Sequence, residues 1–236
     1  MIYAIGDIHG QADQLDRALE AIAAADPGAP VVFLGDYTDR GPDSRGVLDR
    51  LAAGRAAGEN WTFLLGNHDD LLHDFVTGPP PTLRDPAFWL SPNVGGRETA
   101  ASYGIDPDPR RPDADIHAEL RAAMPDTHLD FLRDLRLSHE TDAQFFCHAG
   151  IRPGVPLRDQ VKRDLIWIRD PFLSDARDHG KLIVHGHTAL ETPRHYGNRL
   201  NLDGGAGYGR PLVPVRLSGR RAFALEDGTA REIVSI

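Results

Sequence analysis

Three short apolar runs, IYAI at 2–5, VVFL at 31–34 and WTFLL at 61–65, each stop at a glycine-flanked polar motif. The motifs are GDIHG at 6–10, GDYTDRG at 35–41 and GNHD at 66–69. Runs this brief, rich in β-branched and aromatic residues, read as strands buried on both faces. Between the first two, Leu15, Leu19 and Ile22 recur at helical spacing until Pro27-Gly28 stops the pattern. Between the second and third, Asp43 can cap a helix whose inner face carries Val47, Leu48 and Leu51. This β-α-β-α-β order implies an α/β fold with parallel strands and right-handed crossovers, in which ligands gather beyond the carboxyl ends of the strands. Asp7, His9, Asp36, Asp39, Asn67 and His68 all fall there. CHAG at 147–150 and VHGHT at 184–188 add His148 and His187 in the same setting.

The middle of the chain is less regular. Pro79, Pro80, Pro81, Pro107, Pro109 and Pro112 rule out continuous helix over 77–92 and 105–113, and flank a helix containing Arg97 to Tyr103. The segment 77–125 reads as a surface insertion beside the site, within a single domain covering 1–236. From 137 onward QFFCH, KLIVH, NRLNLD, VPVRL, AFALE and EIVSI read as strands. The last three are joined by turns at Ser218-Gly219 and Asp227-Gly228, a meander-like arrangement.

A formal charge of −9 leaves no basic footprint for general nucleic-acid binding. No apolar run approaches the roughly 18 residues of a membrane span. The start MIYAIGD lacks a basic segment followed by a long apolar core, so no signal peptide is expected. The single cysteine, Cys147, excludes an internal disulfide and fits a reducing compartment. The expectation is a cytoplasmic enzyme with no nucleic-acid or membrane partner.

Carboxylate, imidazole and carboxamide groups converging at strand ends can surround two divalent ions. Gly6 and Gly10 give the turn that lets Asp7 and His9 face one ion. Asp36 has two carboxylate oxygens and could bridge both, while Asn67, His148 and His187 can complete the second. An oxygen and nitrogen donor set suits Mn, Fe or Zn better than copper(I) or an iron–sulfur cluster. The imidazoles argue against Mg alone.

These motifs, in order over residues 6–188, resemble the signature of the phosphoprotein phosphatase branch of the calcineurin-like metallophosphoesterases. The resemblance implies a β-sandwich of mixed sheets flanked by helices and a binuclear metal centre. By it, Asp7, His9 and Asp36 hold one metal, and Asp36, Asn67, His148 and His187 hold the other, with Mn as the expected ion. The wider superfamily often ends in a Gly-His-x-His pair. Here Ala189 stands at the last position, as in the phosphatase branch. His185 matches no ligand and is expected to support the site or fill the core. Arg40, Arg169 and Asn67 would bind the phosphoryl group, a guanidinium being able to hold two oxygens at once. Asp39 and His68 would form the acid dyad at the start of a helix over 68–76, whose N-terminal dipole favours an anion.

The implied mechanism is in-line attack on phosphorus by a hydroxide bridging the metals, with His68 protonating the departing alkoxide. The expected activity is that of a metal-dependent phosphomonoesterase acting on a phosphorylated protein, a peptide or a small phosphoester, most like bacterial and phage serine/threonine protein phosphatases. The rival is a symmetrical dinucleoside tetraphosphate (Ap4A) hydrolase, a group that resembles the same motifs but commonly lacks an aspartate before the motif arginine. A catalytically silent binding module would be expected to have lost ligands, and every ligand position here is filled. Cys147 to Arg152 has four intervening residues, not the five of a cysteine-phosphatase loop. GAGYG at 205–209 lacks the helix a dinucleotide fingerprint needs, because Pro211 and a strand pattern follow it.

Overall fold

Along the leading strands, successive side chains enter different cores. Tyr3, Ile5, Val31 and Phe33 join one cluster, while Ala4, Val32 and Leu34 join another. This is the two-residue period of a strand with both faces covered, and it explains why these runs show no polar alternation.

A computed structural model describes residues 1–82, 87–226 and 228–236. The first half runs β1 (Ile2–Ile5), α1 (Ala12–Ala25), β2 (Val31–Phe33), α2 (Ser44–Ala56), β3 (Trp61–Phe63) and α3 (Asn67–Thr77). A 3₁₀ turn at Phe88–Leu90, α4 (Gly96–Ser102), α5 (Asp113–Ala123) and α6 (Asp126–Arg133) follow. Then come β4 (Ser138–Glu140), β5 (Gln144–Cys147), α7 (Lys162–Trp167), β6 (Leu182–His185), β7 (Arg194–His195) and β8 (Arg199–Asn201). The chain closes with β9 (Val215–Ser218), β10 (Arg221–Glu226) and β11 (Thr229–Glu232).

Among the described residues the strands form two mixed sheets, ordered β11-β10-β9-β1-β2-β3 and β4-β5-β6-β8-β7. β1, β2 and β3 are parallel, as are β5, β6 and β8, and the remaining pairings are antiparallel. Val32, Leu34, Phe146, Val184, Leu200 and Val215 pack between the sheets. Outside the first sheet, Leu15, Leu19, Val47, Leu48, Leu51 and Leu72 bring the helices onto Tyr3 and Phe33. Outside the second, Leu165 and Ile166 of α7 cover Phe145 and Ile183. The result is a sandwich of mixed sheets flanked by helices.

α1 ends at Ala25, ahead of Pro27-Gly28, and Asp43 caps α2 by accepting the Gly46 N–H at 2.8 Å. Such a cap is worth about 1 kcal/mol. The last strand departs from expectation. It is Thr229–Glu232, not EIVSI, because its pairing with β10 uses backbone groups while its side chains lie exposed. Of the expected turn at Asp227-Gly228, Asp227 lies outside the described residues, as do 83–86 of the proline-rich stretch. Within 77–125, Trp89, Val94, Ala100, Tyr103, Ile116 and Leu120 join the same core cluster as Tyr3 and Phe33. Among the described residues no helix is long and apolar enough to cross a membrane.

Candidate metal centre

Each of the parallel strands β1, β2, β3, β5 and β6 delivers polar residues at its carboxyl end. Asp7 and His9 follow β1, while Asp36, Asp39 and Arg40 follow β2. Asn67 and His68 open α3 just after β3, His148 follows β5 directly, and His187 follows β6. Among the described residues, the non-glycine residues with positive φ are His9 (48°), Asp36 (54°), Asp39 (73°), Arg40 (64°) and His187 (66°). All five belong to this set. A side chain in that region costs of order 1–3 kcal/mol, and such strain concentrates at functional sites.

Asp36 sits at the centre. Its Oδ1 accepts the backbone N–H of His68 at 3.0 Å, so the first turn of α3 is aimed at it. Its Oδ2 faces the Nε2 atoms of His148 at 3.4 Å, His9 at 3.6 Å and His68 at 3.9 Å. Burial alone would raise its pKa, but the His148 and His68 imidazoles hold the carboxyl well below the ordinary range. Asp7 moves the other way, raised by burial and by the charge of Asp203. Both Asp7 oxygens accept the His187 N–H at 3.1 Å. Gly186 makes that approach possible, because a Cβ there would strike Asp7 Oδ1.

Backbone acceptors set the ring orientations. His9 Nδ1 donates to the Thr38 carbonyl at 2.8 Å and His148 Nδ1 to the Leu34 carbonyl at 2.9 Å, turning both Nε2 atoms inward. Burial pushes the His9 pKa down to about 3 and that of His187 to about 2, so these rings are neutral and available as ligands. His148 is carried up to about 10 because the Asp36 and Asp7 charges outweigh its burial. Asn67 Oδ1 lies 3.0 Å from His148 Nε2 and 2.7 Å from His187 Nδ1, and the buried His187 Nε2 has no hydrogen-bond partner. Buried carboxylates, inward-facing imidazole nitrogens and an orphaned one on His187 are the chemistry of a cation site, so the donor set fits divalent metals. Among the described residues, two groups have donor atoms close enough for an ion: His9 with Asp36 and His68, and Asp36 with His148 and His187. Asp36 is common to both. The first grouping includes His68 and leaves out Asp7, unlike the set implied by the sequence resemblance.

Asp39 and His68 are joined at 2.7 Å, the His68 Nδ1–H donating to Asp39 Oδ2. Burial lowers the His68 pKa, but the charge of Asp36 and the bond to Asp39 raise it overall. Arg40 lies against the first of these groups, with Nη1 donating to His9 Nε2 at 2.9 Å and Nη2 to His68 Nε2 at 3.1 Å. Arg169 shares a cleft of about 140 Å³ with Arg40, Asn67, His68, Trp167 and His187. A larger cavity, about 400 Å³, lies by Asp16, Leu19 and Trp61, away from every candidate residue, so size does not locate the site. His185 faces elsewhere, its ring 5.0 Å from that of Phe172 and its Nε2 accepting from Arg199 at 3.4 Å. Cys147 is buried, and burial pushes its thiol pKa up, away from nucleophilic use.

Sequence reasoning gave no role to several residues that hold this arrangement. Asp69 accepts the N–H groups of Asp36, Tyr37 and Gly66 at 2.7, 2.9 and 3.0 Å, pinning the strained loop. Burial and the Asp36 charge push its carboxyl up to about 7. It directly follows His68, so motif adjacency was its available signal. Asp203 is a further buried carboxylate at the end of the segment NRLNLD, before Gly204. It has the same glycine-flanked strand-end pattern as Asp7. Trp89 and Thr99, both from the segment 77–125, donate to the Asp39 carboxylate, and nothing local in the sequence marks them.

The family model for calcineurin-like phosphoesterases matches residues 1–206. A symmetrical bis(5'-nucleosyl)-tetraphosphatase of Janthinobacterium sp. (strain Marseille) is 34% identical over 151 residues, covering 64% of this chain and 44% of that protein. The chain thus spans less than half the length of that relative. The asymmetrical bis(5'-nucleosyl)-tetraphosphatase PrpE of Bacillus subtilis (strain 168) is 26% identical, covering 90% of this chain and 88% of PrpE. Among solved structures, a chain provisionally assigned as a diadenosine tetraphosphatase superposes with a TM-score of 0.64 at 20% identity, covering 100% of this chain and 93% of that one. The cold-active protein-tyrosine phosphatase of a psychrophilic Shewanella superposes at 0.62 and 18% identity, covering 99% and 80%. At those identities the structures establish the fold alone. With its first 206 residues matched, the chain belongs to the calcineurin-like phosphoesterase family and is a phosphoester hydrolase.

Proposed function

We propose that the chain hydrolyses dinucleoside tetraphosphates such as Ap4A, in a single domain, using two divalent ions with manganese as the preferred metal. The observation that carries this reading is the similarity, over nine-tenths of the chain in one case, to relatives named for that substrate. The relatives include symmetrical and asymmetrical enzymes, and we take the symmetrical cut, giving ADP alone, as the reading.

In this proposal Asp7, His9 and Asp36 hold one ion, and Asp36, Asn67, His148 and His187 the other. When bound, the ions would supply Lewis acidity and lower the pKa of water enough to provide a nucleophile near neutral pH. Arg40 and Arg169 would clamp the phosphoryl oxygens, with Asn67 beside them. A phosphoryl oxygen offers Arg40 a charged acceptor in place of the neutral imidazole nitrogens it contacts at 2.9 and 3.1 Å. Releasing His68 Nε2 in this way frees it to carry the proton destined for the leaving oxygen, with Asp39 fixing the ring from behind.

The retained Asp39–His68 pair favours a second reading, a phosphomonoesterase acting on phosphoserine or phosphothreonine, whose alkoxide is the poorer leaving group. One assay series decides between them: kcat/KM for Ap4A, a phosphoserine peptide and p-nitrophenyl phosphate at one manganese concentration, with the nucleotide products identified. Preference for the peptide would overturn the proposal, and ATP with AMP as products would replace the symmetrical cut by the asymmetrical one. Chelator should abolish activity and manganese restore it. Full activity in metal-stripped protein would remove the metals from the reaction.

A further inference from the structure

Among the described residues, the large aromatic side chains left exposed are Phe88 (62%), Trp167 (37%) and Tyr208 (63%). All three border the candidate centre. Phe88 and Trp167 line the same cleft as Arg169 and His187, and the Trp167 ring lies 6.1 Å from that of His187. Tyr208 lies beside the other cluster, its ring 5.2 Å from the Arg40 guanidinium that bonds His9. Each of the two donor groups therefore has its own exposed aromatic.

The display of Tyr208 is built. It ends a 3₁₀ turn, Ala206–Tyr208, bracketed by Gly205 and Gly209 at φ of 84° and 79°. Gly207 packs close to the His9 ring, where a Cβ would come within 2.6 Å of Cδ2. A side chain at 207 would lift the turn off the site and carry Tyr208 with it. The cleft itself, about 140 Å³, is below the roughly 300–1,000 Å³ that encloses a whole organic ligand. It has room for phosphoryl groups but not for a nucleoside, so the groups attached to the phosphates must lie on the rim, where these rings are.

We propose that Trp167, with Phe88, and Tyr208 are two nucleobase-stacking shelves, one at each end of the phosphate cleft, that select a polyphosphate chain carrying a nucleoside at both ends. This rests on the substrate reading above and adds the residues that recognise its two bases. Stacking is tolerant of base identity, because every base presents a π face. The shelves therefore select for the presence of two bases, not for adenine.

The test uses the manganese-loaded full chain with Trp167→Ala, Tyr208→Ala, their double variant, and the conservative Trp167→Phe and Tyr208→Phe. Each alanine variant should raise KM for Ap4A about tenfold and the pair about a hundredfold, with the phenylalanine variants recovering most of the loss. Inhibition separates stacking from phosphate binding: the ratio of the ADP to the pyrophosphate inhibition constant should rise in the alanine variants. An unchanged KM for Ap4A, or ADP and pyrophosphate inhibition weakened equally, would overturn the shelves while leaving the substrate reading intact. A wild-type enzyme preferring the phosphoserine peptide would overturn the substrate reading and the shelves with it.

Discussion

The indole N–H of Trp89 lies 3.0 Å from each carboxylate oxygen of Asp39, fully buried, across fifty positions of sequence. Thr99 Oγ1 adds a donor to Oδ1 at 2.8 Å, while Oδ2 also holds the His68 ring. A hydrogen bond to a charged group contributes about 1.5–3 kcal/mol. Trp89→Phe keeps the ring and deletes the donor, so it should lower kcat about tenfold on substrates with poor leaving groups and leave metal content intact. Parallel kcat and metal analyses check this; equal losses for p-nitrophenyl phosphate and a phosphoserine peptide would detach Trp89 from the acid function.

Asp36 and His68 should separate binding from turnover. Asp36→Asn removes the carboxylate shared by both donor groups and should abolish metal retention and activity together. His68→Asn should retain both ions and lose kcat, more for an alkoxide leaving group than for a phosphoanhydride. Loss of metal in His68→Asn would make this ring a ligand, as its proximity to His9 and Asp36 allows.

Truncating Arg169 or Arg40 removes charge-assisted contacts to phosphate worth on the order of 2–3 kcal/mol. Phosphate inhibition and kcat/KM should then weaken by tens-fold to about a hundredfold. Unchanged kcat/KM in Arg169→Ala would place the clamp elsewhere.

Away from the site, His128 is held between the Tyr103 hydroxyl, which donates to its Nδ1 at 2.7 Å, and Asp49 at 3.0 Å. Burial, only partly offset by Asp49, lowers its pKa from 6.5. The unfolded chain therefore takes up a proton first as the pH falls. The stabilisation is complete above pH 6.5 and is lost as the pH drops from there towards the folded-state pKa. Melting temperatures from pH 7.5 to 5 should fall less steeply in His128→Phe than in the wild type; parallel slopes would clear His128 of that role.

What the sequence made legible followed from burial and local chemistry. Runs such as VVFL are apolar throughout because Val31 and Phe33 face the helices while Val32 and Leu34 face the second sheet. The motifs after them mark strand ends, which topology then gathers into one crevice. Elements held by other means were not legible. β4 is polar and partly exposed, and β11 has exposed side chains paired only through backbone groups. α5 and α6 carry buried histidines, His117 and His128, among charged residues, which blurs the apolar stripe. Trp89 and Thr99 reach Asp39 from 50 and 60 residues away, a relation that no local pattern encodes.

The donors of the candidate centre come from both halves of the sandwich. Asp7, His9, Asp36 and Asn67 extend from the sheet containing β1, whereas His148 and His187 extend from the sheet containing β6. Ions gripped by both sets would act as a clasp across the seam, and their binding energy would become cohesion between the sheets. Chelation should then loosen the whole molecule as well as silence it, lowering the melting temperature by an amount that grows with the metal concentration removed.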